Sequence, residues 1–265
     1  LYARFWHHVL HDLGHVSTRE PFQKLFNQGM ILGEDGSKMS KSRGNVINPD
    51  EVIDEYGADS MRLYEMFMGP LDKAKPWQTK GLQGCSRFIN KLWNKVCSSD
   101  GLNENITSDT AESETIKLMH QTIKKVSDDI ENLRFNTAIS QMMIFTNHLT
   151  TLKSINREIL QTFAQLLAPF IPHTAEEIWQ RLGNDNSITY EQWPDYDEEL
   201  AKENIISIAI QVNGKLRANI EIDANTEDGD VLQLAKENDR IDNYIGGKEL
   251  IKEIYVPGRL KNFVV

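Results

Sequence analysis

The chain has 265 residues, 40% hydrophobic and 26% charged, with a formal net charge of −10. This is ordinary globular composition, long enough for two domains or three small ones; no apolar run approaches the ~18 residues of a membrane span, so no membrane partner is expected. Residues 1–80 carry 10 basic and 11 acidic groups, residues 81–182 the same numbers, and residues 183–265 carry 9 and 17, which excludes a global basic footprint for nucleic acid and leaves only local patches for it.

Residues 2–13 read as an amphipathic helix, with Phe5, Trp6, Val9, Leu10 and Leu13 on one side. They lack the basic start, apolar run and cleavage site of a signal peptide. There is no initiator Met, and the chain reads as part of a larger protein. His7, His11 and His15 recur every four residues, with His8 beside them. No HExxH accompanies them, so a solvated or RNA-facing side is expected and no metal site. A short strand is expected over 29–32, followed by the basic loop GEDGSKMSKSRGNV (33–46).

Asn48-Pro49 is a strong helix opening, with Asp50 and Glu51 complementing the dipole, and Gly57 is its stop. A second helix, 59–68, carries a Met-rich apolar stripe read as core packing. Gly69-Pro70 ends it, and 70–81 reads as a lysine-bearing linker. From 82 to 182 the pattern is helical. Phe88, Ile89, Leu92, Trp93 and Val96 form one stripe; Ile116, Met119, Ile123, Val126, Ile130 and Leu133 form another. Helices over 135–152 and 155–167 follow, then a fifth opened by a Thr174/Glu177 capping box and closed near Gly183. Short loops between such helices point to an antiparallel bundle. Cys85 and Cys97 match no metal or disulfide framework and read as buried reduced thiols in a reducing compartment.

Residues 184–204 form an acidic linker. The period then changes to two: strands over 206–212 and 215–223 flank Asn213-Gly214, the preferred hairpin dipeptide. One helix over 227–241, a strand over 251–256, a Pro257-Gly258 turn and a strand over 260–265 complete a small α+β domain.

The loop 33–46 has too much glycine for a helix and too much charge for a core strand. It lacks the Walker spacing GxxxxGK[ST]. It offers Lys38 and Lys41 three residues apart, among Ser37, Ser40 and Ser42. Ammonium and hydroxyl groups so placed can stabilise the extra charge on phosphorus during adenylyl transfer. A solvated turn is the plain alternative.

The string Lys38-Met39-Ser40-Lys41-Ser42 is KMSKS, the signature that class I aminoacyl-tRNA synthetases carry. LYARFWHHVL, FNQGMILGEDGSKMSKSRGNV, NPDEVIDEYGADSMRLYEMFMGP, LRFNTAI, LAPFIPHTAEEIW, VNGKLRA and IYVPGRLKNFVV are similar to consecutive blocks of the bacterial-type leucyl-tRNA synthetase family, over essentially the whole chain. YEMFMGP and IYVPGRLKNFVV favour the leucyl family over the valyl and isoleucyl ones.

The resemblance implies a multidomain, mainly α fold. Residues 1–80 would be the end of an α/β Rossmann-like catalytic domain with the KMSKS loop, and 81–183 an α-helical anticodon-binding-type bundle. Residues 184–204 would be a linker, and 205–265 an α+β C-terminal tRNA-binding domain. It implies ATP-dependent ligation of leucine to tRNA(Leu), with Mg²⁺ as the nucleotide's counter-ion and no protein metal site. Lys38, Met39, Ser40, Lys41 and Ser42 would meet ATP, with Lys38 and Lys41 holding phosphates. Gly36 and Gly44 would let the loop open and close. Arg134, Asn136 and Trp179 lie in the bundle's recurring blocks, and the plain expectation is that Asn136 caps a helix and Trp179 fills the core. Lys215, Arg217, Lys248, Lys252, Arg259 and Lys261 are the candidate tRNA contacts, on a sheet face whose sign would differ from an acidic helix face. The family's HIGH motif and editing domain match nothing in these residues, so the remainder of a synthetase is an implied partner and activity of the chain alone is not expected. A cytoplasmic protein is implied. Two alternatives stay open: a separately encoded tRNA-binding subunit of a split synthetase, and the equivalent part of a valyl or isoleucyl enzyme.

Overall fold

The computed structural model describes every residue except 203–204, 224–225, 227, 249 and 257. The chain folds as two compact units, Leu1–Asp195 and Tyr196–Val265.

The first unit opens with α1 (Tyr2–Asp12) and reaches β1 (Ile31–Leu32) through an irregular stretch. Strand β1 pairs in parallel with β2 (Lys75–Pro76). The segment 70–81, expected as a linker, is therefore anchored: Trp77 is buried and its amide donates to Leu32 O at 2.9 Å. Helix α2 (Pro49–Tyr56) starts as its sequence demands, with Asn48 Oδ1 accepting the Asp50 amide at 3.2 Å and Pro49 in the first position. Helix α3 (Ala58–Phe67) buries Leu63 and Tyr64 toward α4 (Thr79–Val96). The Tyr64 ring meets Trp77 edge-on, 4.8 Å between centroids, and its hydroxyl accepts the Gln78 amide at 2.7 Å. Gly81 makes room for that ring: a Cβ there would stand 2.6 Å from Tyr64 Cε2.

Helices α4, α5 (Ser113–Glu131), α6 (Phe135–Thr151), α7 (Arg157–Leu167) and α8 (Pro172–Arg181) form the bundle. Its expected stripes lie inside only in part: Ile89, Trp93, Ile116 and Ile130 are half-buried, and Leu133 falls in the turn after α5. Phe88, Leu92 and Val96 of α4, and Met119, Ile123 and Val126 of α5, are buried. Each such side chain contributes about 1.5–3 kcal/mol over exposure. The loop between α4 and α5 is pinned by β3 (Ile106–Thr107), parallel to β4 (Ile155–Asn156) at the entrance of α7. Cys85 and Cys97 are free and buried, and burial raises the Cys85 thiol to about 12. Part of the expected linker also packs: Ile188 is buried, and Trp193 Nε1 donates to Ser127 Oγ at 2.8 Å.

Two expected caps are not formed. Thr174 and Glu177 make no capping box: α8 begins at Pro172, Thr174 bonds to Asp59, and Glu177 pairs with Arg181 at 2.7 Å. Asn136 is not the cap of α6, whose N-cap residue is Arg134 without a side-chain cap bond. Trp179 does fill the core, and its Nε1 donates to Asn186 O at 2.9 Å.

In the second unit β5 (Ile205–Val212) and β6 (Lys215–Asp223) form the expected hairpin. Asn213 and Gly214 take φ of 53° and 75°, the positive pair that a two-residue hairpin turn demands. The strand order is β6-β5-β8-β7, with β7 (Lys252–Val256) antiparallel to β8 (Leu260–Val264) and β8 parallel to β5. The single helix expected over 227–241 is two, α9 (Asp228–Lys236) and α10 (Asp239–Ile245), because Asn238 Oδ1 takes the Arg240 amide and starts a new helix. Glu227 and Pro257, assigned to a helix start and a turn, lie outside the described residues. Ile208, Ile210, Ile222, Val231, Ile241 and Phe263 fill the core between sheet and helices.

The turn between α5 and α6 passes through Leu133 at φ 56°, a costly backbone for a residue other than glycine. The fully buried Asp129 carboxylate holds it. It accepts from Lys125 Nζ at 2.6 Å, Arg134 Nε at 2.8 Å and Thr137 Oγ1 at 2.6 Å. Burial opposes its charge, but these three bonds prevail and hold the carboxyl below its ordinary range. A depressed folded value gives stability that is present above the ordinary carboxylate range and lost as pH falls through the folded value. Asp129→Ala is expected to cost about 2 kcal/mol at neutral pH, less than a fully buried pair because Lys125 and Arg134 reach water. Denaturant melts from pH 7 to 3 check this: the wild-type advantage should shrink at the acid end.

Candidate functional site

The basic loop is a folded turn. Gly36, at φ 72°, sends the chain back so that Gly33 N donates to Ser37 O at 2.9 Å and Lys38 bridges Leu32. Residues Lys41–Arg43 form one 3₁₀ turn, closed by Gly44 at φ 66°. Asn45 sits at the centre. Its Oδ1 accepts the Ser40 amide at 2.9 Å, and its Nδ2 donates to Ser37 Oγ at 3.0 Å. Asp35 closes the other side, accepting from Ser37 Oγ at 2.6 Å and Ser37 N at 3.0 Å. The Ser37 hydroxyl, then its amide, hold the Asp35 carboxyl below the usual range. Ser40 Oγ and Ser42 Oγ stand 3.2 Å apart.

Lys38, Lys41 and Ser42 are exposed, while Met39 and Ser40 are half-buried. Neither lysine has a carboxylate partner among the described residues. Polar links tie the loop's backbone and leave its ammonium groups toward solvent. The loop is also tethered at its base: Glu34 accepts from Thr79 Oγ1 at 2.6 Å, at the start of α4. Two oriented cations at a folded loop can hold a polyphosphate, the chemistry of developing negative charge.

The histidines of α1 have structural partners. His7 Nε2 lies 2.7 Å from Thr18 O, and His8 Nε2 lies 3.2 Å from Glu20 Oε1. Arg4 donates two 2.7 Å bonds to Glu20 and, with His8, draws that carboxyl down to about 2. Among the described residues no group of three His, Cys, Asp or Glu side chains could hold a metal ion.

The six cations expected on the second unit do not share one face. Lys215 opens β6 beside the hairpin turn and Lys252 opens β7; both are exposed. Arg259 is exposed just before β8, where its carbonyl accepts the amide of Ala209 in the middle of β5. Arg217 and Lys248 meet at Tyr244 of α10. The guanidinium lies 4.1 Å over the ring, and Lys248 Nζ donates to Tyr244 O at 2.9 Å. Lys261 corrects the expectation. It is fully buried, with Nζ 2.8 Å from Glu253 and within 6 Å of the Tyr255 and Phe263 rings. Strand alternation puts residue 261 on the face of Phe263, which packs on the helices. Arg217 also lies on the helix side, so the expected division into a basic sheet face and an acidic helix face is not found.

Two family models match the chain: "tRNA synthetases class I (I, L, M and V)" over residues 2–77 and "Anticodon-binding domain of tRNA ligase" over 113–233. A leucine–tRNA ligase of Chlorobaculum parvum is 52% identical over 265 residues, and one of Chloroherpeton thalassium is 52% identical over 266. Each match covers 100% of this chain and 33% of the relative. Over its whole length the chain is similar to leucine–tRNA ligases.

It spans about a third of the length of those family members. A solved family structure, the ternary complex of Agrobacterium radiobacter K84 agnB2 LeuRS, tRNA and LeuAMS, is 31% identical with a TM-score of 0.69, over 99% of this chain and 35% of that one. The chain thus has the class I synthetase fold with its anticodon-binding domain. The valyl or isoleucyl and split-subunit alternatives are not favoured.

Asp35, Asn45 and Glu34 escaped the sequence reading. Asx residues flanking a glycine-rich turn were the available signal, since their side chains bond nearby backbone. Asn45→Ala removes the acceptor of the Ser40 amide. Trypsin should then cut after Lys38, Lys41 or Arg43 several-fold faster than in the parent, with cleavage elsewhere unchanged; timed digestion with mass mapping is the check.

Proposed function

We propose that this chain supplies a leucyl-tRNA synthetase with its KMSKS contacts to ATP and with part of its tRNA-binding surface. In the reaction leucine and ATP give leucyl-adenylate and pyrophosphate, and leucine then passes to the terminal adenosine of tRNA(Leu). The observation that carries this reading is the KMSKS turn itself: its backbone is internally bonded while Lys38 and Lys41 are exposed without carboxylate partners among the described residues. Lys41, with Lys38, holds the phosphates as negative charge builds on phosphorus. Ser40 steadies the turn through its amide bond to Asn45, and Met39 packs at its base. Mg²⁺ arrives as the triphosphate's counter-ion.

In this reading residues 1–80 are the end of the Rossmann-like catalytic domain, 81–183 the tRNA-facing bundle, 184–204 a connection and 205–265 a tRNA-binding module in a cytoplasmic enzyme. The HIGH motif and the editing domain belong to the rest of the synthetase, so the chain alone does not charge tRNA. Lys215, Arg217, Lys248, Lys252 and Arg259 are the module's phosphate contacts, with Arg217 and Lys248 acting together around Tyr244. Lys261 serves the module's core.

In the full-length enzyme Lys41→Ala should slow leucine-dependent ATP–pyrophosphate exchange by about 10²–10³-fold, the cost of one preorganised charge-stabilising contact, while tRNA affinity stays near the parent value. An unchanged exchange rate removes the assigned role.

Affinity for tRNA should fall as salt rises. Neutralising Arg217 and Lys248 should reduce the slope of log K against log salt by about one per lost phosphate contact. Lys261→Met should leave that slope alone and lower the melting temperature. Filter binding across a salt series separates the two effects.

A further inference from the structure

Two sequence blocks far apart in the chain, YGADS and PFIPHTAEE, meet at one carboxylate. Asp59 lies in the first turn of α3, behind an N-cap glycine without a side chain to cap it. It faces the first turn of α8, whose N-cap residue, Ile171, likewise offers no side-chain acceptor. The Asp59 side chain is 9% exposed. Its Oδ2 accepts from Thr174 N at 2.7 Å and Thr174 Oγ1 at 2.6 Å. Its Oδ1 accepts from His173 N at 3.3 Å and lies 2.9 Å from His173 Nδ1. One anion, seated in the first turn of α3, thus caps the first turn of α8, and both helix starts favour negative charge there. A second tie lies alongside, with Arg62 Nη2 donating to Pro169 O at 3.1 Å.

What the clasp joins gives it a functional reading. Helices α2 and α3 follow directly from the KMSKS turn, with α2 starting at Pro49. Helix α8 belongs to the bundle. The packing between α3 and the bundle is otherwise largely apolar, through Leu63 and its neighbours, and apolar contact fixes proximity without fixing register. Charge-assisted bonds at 2.6–2.7 Å to two donors of one residue do fix register.

We propose that Asp59 is a positioning residue, with Thr174 as its partner: the clasp sets the bundle in register with the platform of the KMSKS turn, so that tRNA held by the bundle presents its end to the loop's side of the active site. This rests on the function proposed above. Adenylate formation does not need that register, whereas transfer to tRNA does.

The test uses the full-length synthetase with Asp59→Ala, Asp59→Asn, Thr174→Val and Thr174→Ser. Asp59→Ala, which removes every bond of the clasp, should raise KM for tRNA in aminoacylation by about tenfold, while ATP–pyrophosphate exchange stays within about twofold of the parent. Thr174→Val should show a smaller rise in the same parameter, and Thr174→Ser, which keeps the hydroxyl, should restore parent values. A parallel fall of exchange and aminoacylation in Thr174→Val and Asp59→Asn would make the clasp a fold contact only and overturn the proposal. Unchanged KM for tRNA in all four variants would overturn it too. Lys41→Ala, run alongside, reports on the loop alone: full exchange in that variant sinks the ATP reading, whatever the clasp variants do.

Discussion

Helix α3 is the constraint on which the first unit depends. It follows the KMSKS turn by one short helix, and its buried face packs toward the bundle. Leu63 and Tyr64 supply the apolar contact, Trp77 and Gly81 are shaped around the Tyr64 ring, and Asp59 adds the directional bonds. Apolar burial provides most of the free energy. The buried carboxylate adds little net stability, because its desolvation offsets much of the gain. What it adds is a defined arrangement of two helix starts. The loop inherits that definition through Glu34 and Thr79 at its base and through Asp35 and Asn45 inside it.

Much of this was legible in the sequence, and what was legible was local. Asn48-Pro49 and Asn213-Gly214 each encode their structure within a few residues, and both form as written. The helical stripes of α4 and α5 likewise depend on spacing alone. Two of the misreadings share one cause, a partner far away in the chain. Thr174 resembled a helix cap because its acceptor, Asp59, is 115 residues away. Residues 70–81 resembled a linker because the partner of Lys75–Pro76 lies more than forty residues earlier. Lys261 resembled a surface cation because charge was weighed before parity. Its alternation with Phe263 was visible and placed both on the packed face.

The second unit, acidic overall, disposes its cations in three different ways. One lysine is withdrawn into the core and neutralised by Glu253. Arg217 and Lys248 are gathered on one tyrosine, where stacking spares part of the entropy of holding a guanidinium in place. The remaining cations stand at opposite ends of the sheet. Under the proposed tRNA role, such scattered charges would meet several phosphates along a backbone, with no single base-reading surface.

The central claim is that the KMSKS turn meets the nucleotide. Hydrogen exchange on the full-length protein, with and without a non-hydrolysable leucyl-adenylate analogue together with pyrophosphate, tests it most directly. The account predicts added protection concentrated in residues 38–44, with the amides of 205–265 unchanged in the absence of tRNA. Protection elsewhere in the catalytic region with none in 38–44 would contradict it.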